Sequence, residues 1–468
     1  MIVLALLAPV LLGFAMVRAV WPNGWRTCRH DVFRLSLGIG LGFGVCSCIF
    51  FLALSVGVPG AALPVEAVVL AAVVTFYARE RTTGACVFCA ARPEPATAHW
   101  LLPAAAALAA AAALATFVLF SVMAPLGESD AWSIWNLRAK FLALGGTNWT
   151  DAFSSVIAWS HPDYPLLVPG AVGQAWRAAG ETSFLAPIWV AGLFTFAAAA
   201  LLYSSMEILR GRLQALLALL ALLGASSFAR NGAAQYADIP VGFFLLAAAA
   251  LIGLEEEFPA AAVLAGFSAG LAAWTKNEGL LFVAGALVAH IVFMRPPVRR
   301  FLSGLAPVAA VLLFFKLRYA GANDLAASVQ FGRLADFDRY WTVGYEFAHQ
   351  ILVFGGYIAS PVLVLGVYAW LLGIQAEEKA RPQNRALLFL LLSMLAGDFA
   401  VYLLAPSALG WQLNTSLGRV LLQLWPLAVL TLFCYVSIPK TMKVSKKPDP
   451  KAPRETKRGA ATRLRTIG

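Results

Sequence analysis

Residues 100–124 read WLLPAAAALAAAAALATFVLFSVMA, an uncharged apolar run that is long enough to cross a bilayer as one helix. The whole chain has 468 residues, of which 60% are hydrophobic and 13% are charged, and its mean hydropathy is +0.77. So little polar surface excludes a soluble multidomain protein. An outer-membrane barrel would show alternating segments of about ten residues, whereas these runs are continuous. The sequence therefore predicts an all-α fold, a polytopic transmembrane helical bundle.

Apolar runs of this kind predict about thirteen spans. They cover residues 2–20, 33–56, 61–78, 100–124, 186–206, 213–229, 238–254, 259–275, 279–294, 301–317, 350–373, 386–405 and 418–438. Basic residues collect in the loops on one side, and only the loop with Glu255, Glu256 and Glu257 departs from this pattern. By the positive-inside rule we expect a multi-pass protein of the bacterial inner membrane, with its C-terminus cytoplasmic and its N-terminus external.

The spans divide the chain into regions of different character. The tail from Lys440 to Gly468 carries ten Lys or Arg against two acidic residues, a net charge of +8. Beside a terminal span this charge predicts contact with anionic membrane lipids rather than nucleic acid, and its composition predicts disorder. The expected regions are N-terminal spans in 1–124, an external loop in 125–185, C-terminal spans in 186–438 with a second external loop at 318–350, and a basic cytoplasmic tail in 439–468.

Cys86 and Cys89 form a Cys-x-x-Cys pair in a short loop. Cys28 and His30 lie in an earlier loop on the same predicted side, so a four-ligand zinc site is one interpretation. Reduced structural cysteines are the other, because two half-motifs in short loops have no fixed spacing between them.

The polar loop after residue 124 carries most of the candidate chemistry. Its segment Gly127–Pro169 reads GESDAWSIWNLRAKFLALGGTNWTDAFSSVIAWSHPDYPLLVP, with Glu128 and Asp130 just past the end of a span. A carboxylate held there by a helix and facing water is suited to act as a general base or to bind a divalent metal. A structural ion pair or a plain helix-end charge is the alternative.

Two further parts of this loop are candidate binding segments. The stretch from Trp132 to Lys140 predicts an amphipathic interfacial helix, in which Arg138 would hold a phosphate through two hydrogen bonds and Lys140 would act as a point charge. A lipid-surface helix without a catalytic part is the alternative. The segment His161–Pro165 combines an imidazole and Asp163 with two prolines, which indicates a rigid turn that binds substrate or metal, or merely stabilises the loop.

Later polar clusters fall on the same predicted face of the membrane. Arg230 and Asp238 lie between two spans, Lys276 lies in a tight turn, and Arg419 opens the last span. Any one of these charges is explained by snorkelling at a helix end. Together they predict that acids and bases from distant segments meet in one water-accessible pocket on the external side.

These motifs, in this order, resemble the C-type integral-membrane glycosyltransferases, in particular the protein O-mannosyltransferase and aminoarabinose-transferase branch. The resemblance extends over about residues 120–435. It rests on Asp130, shortly after a span, and on the later pair His161-Pro162. It also rests on the segment Tyr236–Pro240, in which an Asp opens a span, and on Trp274–Gly279, in which a Lys lies in a turn. The last element is a C-terminal Arg and Pro, in Gly418-Arg419 with Pro426.

The resemblance implies transfer of a sugar, with inversion, from a polyprenyl-phosphate lipid to a hydroxyl of a glycan, lipid or protein on the periplasmic face. It implies Asp130 as the general base, and Glu128, two residues earlier, is the second candidate catalytic carboxylate. The implied phosphate-binding residues are Arg138, Lys140, Arg230, Lys276 and Arg419, and the implied substrate-binding residues are His161, Asp163, Tyr164 and Asp238. That branch has Asp-Glu where this chain has Asp130-Ala131, which leaves open whether the site binds a divalent metal ion.

Two other functions are compatible with the same residues. A transporter or lipid flippase would use Asp130, His161 and Asp398 as a proton or substrate route, although Asp398 inside a span is expected to make an interhelical polar contact. A lipid-linked glycan polymerase or ligase would share the external site but would take a lipid diphosphate.

Overall fold

The computed structural model describes residues 2–21, 28–80, 100–294, 298–320, 329–355, 360–405 and 408–438. In these ranges the regular structure is helical, apart from one antiparallel bridge between Ile374 and Val436. The described residues up to Ser437 form one compact unit. The predicted all-α fold is confirmed, and the basic tail 439–468 lies outside the described residues.

Nineteen α-helices are formed by the described residues. The first nine are α1 Ile2–Val20, α2 Cys28–Ser55, α3 Ala62–Glu80, α4 Leu101–Met123, α5 Asn136–Leu144, α6 Leu167–Ala179, α7 Leu185–Arg210, α8 Arg212–Leu223 and α9 Ser226–Ala233. The others are α10 Asp238–Leu254, α11 Ala261–Thr275, α12 Glu278–Val292, α13 Val298–Arg318, α14 Phe337–Leu352, α15 Pro361–Leu372, α16 Ala376–Ala380, α17 Pro382–Leu404, α18 Leu409–Gln412 and α19 Gly418–Tyr435.

Eight of the described helical segments are long and apolar enough to cross a membrane, or nine if the bent pair α8 and α9 forms one span. Four shorter apolar helices, α10, α11, α12 and α15, follow the same order as the remaining predicted runs. The multi-pass character is therefore supported by the described helices, while the number of about thirteen crossings remains a prediction from the sequence.

Helix α10 lies at the centre of the bundle. It is buried from Asp238 to Leu254 except at Gly253, and it packs against α7, α11 and α19. A helix that is apolar on every side belongs in such a position. Small residues permit close contact elsewhere, because a Cβ at Gly266 of α11 would lie 1.9 Å from the carbonyl oxygen of Phe301 in α13.

The polar contacts gather at two opposite ends of the bundle. Asp238 begins α10 at one end, while Glu255 follows its last turn and hydrogen-bonds His290, near the end of α12, at the other. We call the end with Asp238 the site face and the end with Glu255 the opposite face. Helices that run antiparallel between the two faces bring residues far apart in the chain together at each of them.

The acidic loop that departed from the charge pattern lies at the opposite face. Glu255 pairs with His290, and Glu256 accepts a hydrogen bond from Gln383 at 3.1 Å. In the same region Arg210 forms a buried ion pair with Glu378. Glu255 and Glu378 thus pair with basic side chains within the fold, whereas the partner of Glu256 is a neutral amide.

The loop 125–185 packs into the bundle and does not form a separate unit. Helices α5 and α6 pack on each other, and α6 also packs on α2. A Cβ at Gly170 would lie 3.0 Å from Ser47 of α2, and Gln174 donates a hydrogen bond of 2.5 Å to the buried Glu66 of α3. The position of the loop over the site face is therefore fixed by contacts with the first three helices.

Candidate active site

The start of the loop is tied to the turn between α9 and α10. Gln235 adopts a left-handed backbone conformation, donates to the Pro125 carbonyl at 3.0 Å, and accepts from Asn136 at 2.9 Å. At Gly127, with φ of +74°, a Cβ would lie 2.6 Å from the carbonyl oxygen of Ala234. These contacts hold the backbone on both sides of Asp130 against the N-terminal end of α10.

Asp130 meets Arg419 at the site face. An Nη1 atom of Arg419 donates to Asp130 Oδ2 at 2.5 Å and lies 3.7 Å from Asp238 Oδ2. The guanidinium carbon also lies 4.8 Å from the centre of the Tyr236 ring, within the range of a cation–π contact. One arginine at the start of α19 therefore joins two carboxylates from different parts of the chain.

Lys276 extends this group from the turn between α11 and α12. Its Nζ atom lies 3.0 Å from Asp238 Oδ1 and 2.8 Å from Glu278 Oε1, and Gln423 donates to Asp238 Oδ1 at 2.5 Å. Burial disfavours the charged ammonium, but Asp238 and Glu278 outweigh this effect, so the pKa of Lys276 lies above its usual range. We call Asp130, Asp238, Lys276, Glu278 and Arg419 the Asp130 network.

A second network adjoins the first through the same turn. Asn277 donates to Asp163 Oδ2 at 2.7 Å, and Lys316, near the end of α13, donates to Asn277 Oδ1 at 2.8 Å. Lys316 also donates to the backbone carbonyl of Asp163 at 2.6 Å. We call Asp163, Asn277 and Lys316 the Asp163 network. It fixes the His161–Pro165 turn against α12 and α13.

Three rings of the loop stack beside these networks. His161 stacks on Tyr164 with centroids 4.7 Å apart, and Tyr164 stacks on Trp135 at 5.6 Å. His161 has a left-handed backbone conformation, with φ of 51°. Desolvation of the Tyr164 phenol, together with the charge of Glu278, raises its pKa, so this hydroxyl stays protonated at neutral pH.

Arg138 lies in a different position from the one expected for a phosphate ligand. Its side chain is fully buried and donates to the Tyr164 carbonyl at 2.6 Å and to the His161 carbonyl at 3.5 Å. Its guanidinium also lies 5.5 Å from the Phe153 ring centre. Burial lowers the pKa of Arg138, and the charge of Asp163 opposes this effect. These contacts assign Arg138 to holding the loop.

The remaining predicted residues lie at the rim. Arg230 pairs with Glu128 at 3.6 Å, and more than a third of each side chain is exposed. Ser129 hydrogen-bonds Tyr236 at 3.2 Å and so connects this rim to the Asp130 network. Lys140 is exposed on α5 and forms no hydrogen bond or ion pair with another described residue.

The predicted residues are thus brought together in part. Asp130, Asp238, Lys276 and Arg419 share one network, while Asp163, His161 and Tyr164 adjoin it. Four participants were not predicted as site residues, although each has a polar side chain at the end of an apolar segment or within one: Asn277, Glu278, Lys316 and Gln423. The sequence signal for Gln423 is its place one helical turn after Arg419, where both side chains reach the same face of α19.

The two networks contain four carboxylates, Asp130, Asp163, Asp238 and Glu278, and three cations, Lys276, Lys316 and Arg419. Arg138 lies outside both networks, but the charge of Asp163 acts on it. No group of three or more His, Cys, Asp or Glu in the described ranges is arranged to hold a metal ion. Cys86 and Cys89 of the candidate zinc site lie outside the described residues.

Such an arrangement is suited to acid–base chemistry on an anionic substrate. A carboxylate beside cations at the end of an apolar bundle places a base within reach of groups that stabilise negative charge. In comparisons with known proteins, no family model, no curated protein and no solved structure matches this chain.

Proposed function

We propose that this protein is a membrane glycosyltransferase that moves a sugar from a polyprenyl-phosphate lipid to an acceptor hydroxyl, with inversion at the anomeric carbon. The observation that carries the proposal is the Asp130 network. Asp130 and Arg419 are 289 residues apart in the chain, yet they meet at one end of an apolar bundle beside Lys276. An acid next to two cations at a membrane face suits a substrate that has a lipid tail and a phosphate head.

In this reaction each charged side chain of the site has one role. Asp130 takes the proton of the acceptor hydroxyl as its oxygen forms a bond to the anomeric carbon. The bond between that carbon and the phosphate oxygen breaks, and the electron pair leaves with the polyprenyl phosphate. Arg419 and Lys276 stabilise the growing negative charge, because a phosphate leaving group needs charge stabilisation more than it needs a proton.

Binding of the donor and release of the base are coupled in this scheme. A donor phosphate would compete with Asp130 for the guanidinium of Arg419, which donates a hydrogen bond of 2.5 Å to Asp130. When the phosphate takes this arginine, Asp130 is free to accept a proton. Asp238 keeps Arg419 and Lys276 in place through contacts of 3.7 and 3.0 Å.

The outer rim has a supporting role. Arg230 and Glu128, exposed at the edge of the loop, lie where an acceptor would approach, and His161 with Tyr164 forms an aromatic floor beside the networks. We place the site on the periplasmic side of a bacterial inner membrane, with the N-terminus external and the C-terminus cytoplasmic. This orientation follows the distribution of basic loops.

The test begins in cells. Mass spectrometry of lipid-linked sugars and envelope glycans in a strain that lacks the protein should show an accumulated lipid-phosphate monosaccharide, which identifies the donor. Purified protein in proteoliposomes should then transfer that sugar, and Asp130→Asn or Asp130→Ala should reduce transfer by about 100-fold or more. Asp151→Asn, in an exposed part of the same loop, is the matched control and should be active.

The rival functions give different results in the same experiments. A polymerase or ligase would leave a lipid diphosphate to accumulate, and a flippase would move lipid between leaflets without changing its mass. Full transfer activity in both Asp130 variants, at normal protein levels, would reject Asp130 as the base.

A further inference from the structure

Helix α14 carries a row of large apolar side chains on its exposed side. The row consists of Phe337, Trp341, Tyr345 and Leu352, and we call it the outer stripe. Its members are four, four and seven residues apart, so their side chains lie on one face of the helix. Phe337 is 82% exposed and Trp341 is 79% exposed. A continuous exposed row of this kind marks a surface that contacts something other than water.

The remaining sides of α14 differ from the outer stripe. The side that packs on α17 is buried, and it contains Arg339, Val343 and Phe347. A third side is polar and exposed, and it contains Asp338, Thr342 and His349. By helical spacing the outer stripe lies between these two sides. A helix that lies at a membrane surface beside a bundle has this division, with one side each for protein, lipid and water.

Arg339 fixes the level of α14 relative to a helix that is long and apolar enough to cross a membrane. That helix is α17, which ends at Leu404. The guanidinium of Arg339 donates three hydrogen bonds of 2.7 Å to backbone carbonyls at the end of α17, those of Tyr402, Leu403 and Ala405. The start of α14 is therefore held at the level where a spanning helix ends at the site face.

The second half of α14 remains near the same end of the bundle. Phe347 packs against Phe399 and Tyr402, with ring centroids 5.4 and 5.9 Å apart. Arg339 and Phe347 are eight residues apart, yet both contact the last two turns of α17, so α14 crosses the end of that helix. Farther along, Gln350 reaches the start of α19, because a Cβ at Gly418 would lie 3.4 Å from its Oε1 atom. Helix α14 thus adjoins the helix turn that carries Arg419.

Length and charge exclude α14 itself as a membrane span. Its sixteen residues extend about 24 Å, less than the hydrocarbon core of about 30 Å. They also include four polar or charged side chains, Asp338, Arg339, Glu346 and His349. The next helix, α15, contacts α14 and is apolar, and none of its twelve described residues is buried. The outer stripe therefore continues into a surface that is suited to lipid.

We propose that α14 is an interfacial helix whose outer stripe contacts the bilayer at the site face. The contact lies at the boundary between lipid headgroups and acyl chains, where Trp and Tyr rings are favoured because they have an apolar body and a polar edge. The polar side of α14 then faces water. This contact also holds Arg419, beside α14, near the level of the lipid headgroups. It goes beyond the proposed function and does not depend on it.

Spin labels on single cysteines test the contact in full-length protein in liposomes. Trp341→Cys and Tyr345→Cys report on the outer stripe, while Asp338→Cys and Thr342→Cys are matched positions on the polar side of the same helix. All four side chains are exposed, so the substitutions should not disturb folding. The measurement is the ratio of label collisions with O₂, which dissolves in lipid, to collisions with a water-soluble nickel chelate. We expect this ratio to be about threefold or more higher at the stripe.

Two reference positions calibrate this ratio. Leu114→Cys lies on the exposed side of α4 near the middle of a candidate span, and Asp151→Cys lies in an exposed part of the loop 125–185. Stripe values between these two references support the contact. Equal ratios on both sides of α14, or stripe values equal to that of Asp151→Cys, would overturn it. Stripe labels that broaden each other's spectra in liposomes, but not at one chain per nanodisc, would show a second copy of the chain there and would also overturn it.

Brominated lipids provide a second measurement without labels. Bromine on an acyl chain quenches the fluorescence of a tryptophan that touches it, and the difference between wild type and Trp341→Phe isolates the emission of Trp341. Trp341 is exposed, so this substitution should leave the fold unchanged. Brominated lipid should reduce the difference emission by about twofold or more. An emission that is the same in brominated and ordinary lipid would reject contact between the outer stripe and the bilayer.

Discussion

Arg419 holds Asp130 at 2.5 Å and lies 3.7 Å from Asp238, so one guanidinium spans the two acids at the site face. The contact joins the loop after α4 to the first turn of α19. Gln423, one turn farther along α19, binds Asp238 as well. The end of α19 is thus fixed by its own contacts, and the Asp130 contact can open without releasing the helix.

Arg419→Gln should remove both the cation that stabilises the leaving phosphate and the charged hydrogen bond that holds Asp130. We expect transfer to fall by about 100- to 1000-fold, the usual effect of removing one group that stabilises transition-state charge. Arg419→Lys keeps a charge but replaces the planar, five-donor guanidinium with a compact ammonium, so it should recover only part of this loss. Steady-state kinetics in proteoliposomes measures both effects, and equal activity of all three proteins would rule out a role for this arginine in transfer.

Lys276 is predicted to be essential for stability as well as for transfer. Lys276→Met leaves Glu278 without a cation and Asp238 with only Arg419 and Gln423, which should cost about 3–5 kcal/mol. The double variant Lys276→Met with Glu278→Gln should recover part of that loss, because it removes one of the unpaired charges. Thermal unfolding in detergent gives the comparison, and a larger loss in the double variant would contradict the ion-pair explanation.

The raised pKa of Lys276 determines in which direction its contribution to folding stability changes with pH. A group whose pKa is higher in the folded state stabilises the fold below its unfolded pKa, about 10.4 for lysine, and loses this effect as pH rises through the folded value. The stability difference between wild type and Lys276→Met should therefore be constant from about pH 7 to about pH 10. A difference that declines within this window would mean that the lysine loses its proton there.

Arg138 and Lys140 are two residues apart on α5, yet they should behave differently. Arg138→Met removes the donor to the Tyr164 carbonyl and should destabilise the loop by about 3 kcal/mol, because it leaves buried carbonyls without a donor. Lys140→Met changes an exposed side chain and should alter stability by less than about 0.5 kcal/mol. Limited proteolysis within residues 125–185 and thermal unfolding provide the readouts. Equal effects of the two substitutions would contradict the assigned placement.

The helices could be predicted from the sequence with good accuracy because apolar length is a local property. The predicted run 238–254 coincides with α10, and 2–20 coincides with α1. Run 213–229 does not coincide with a single helix, since the chain bends by 62° between α8 and α9. Such a bend depends on tertiary packing, which hydropathy does not report.

Part of the candidate site could also be predicted from the sequence. Helix ends can be assigned to one membrane face from the charge of the loops and from the number of spans that precede each loop. This is why Asp130, Asp238, Lys276 and Arg419 were all predicted to lie on the same face. The orientation of the Arg138 side chain could not be predicted from the sequence, because a helix of nine residues can turn either side toward the bundle. The role of Asn277 was missed for a similar reason, since an uncharged amide in a turn gives no signal until its partner, Asp163, is known.

The orientation of the site face is open to a direct test by labelling. Single cysteines at Val156 and Asp151, both exposed in the loop 125–185, should react with a membrane-impermeant maleimide added outside spheroplasts. A cysteine at Lys379, on the opposite face, should react only after the membrane is permeabilised. Cys46, Cys48 and Cys434 are buried and can be retained, whereas the other cysteines should be replaced. If the loop positions were labelled only after permeabilisation, a lipid-linked sugar at the periplasmic face would have no route to Asp130, and the proposed transfer reaction would have to be abandoned.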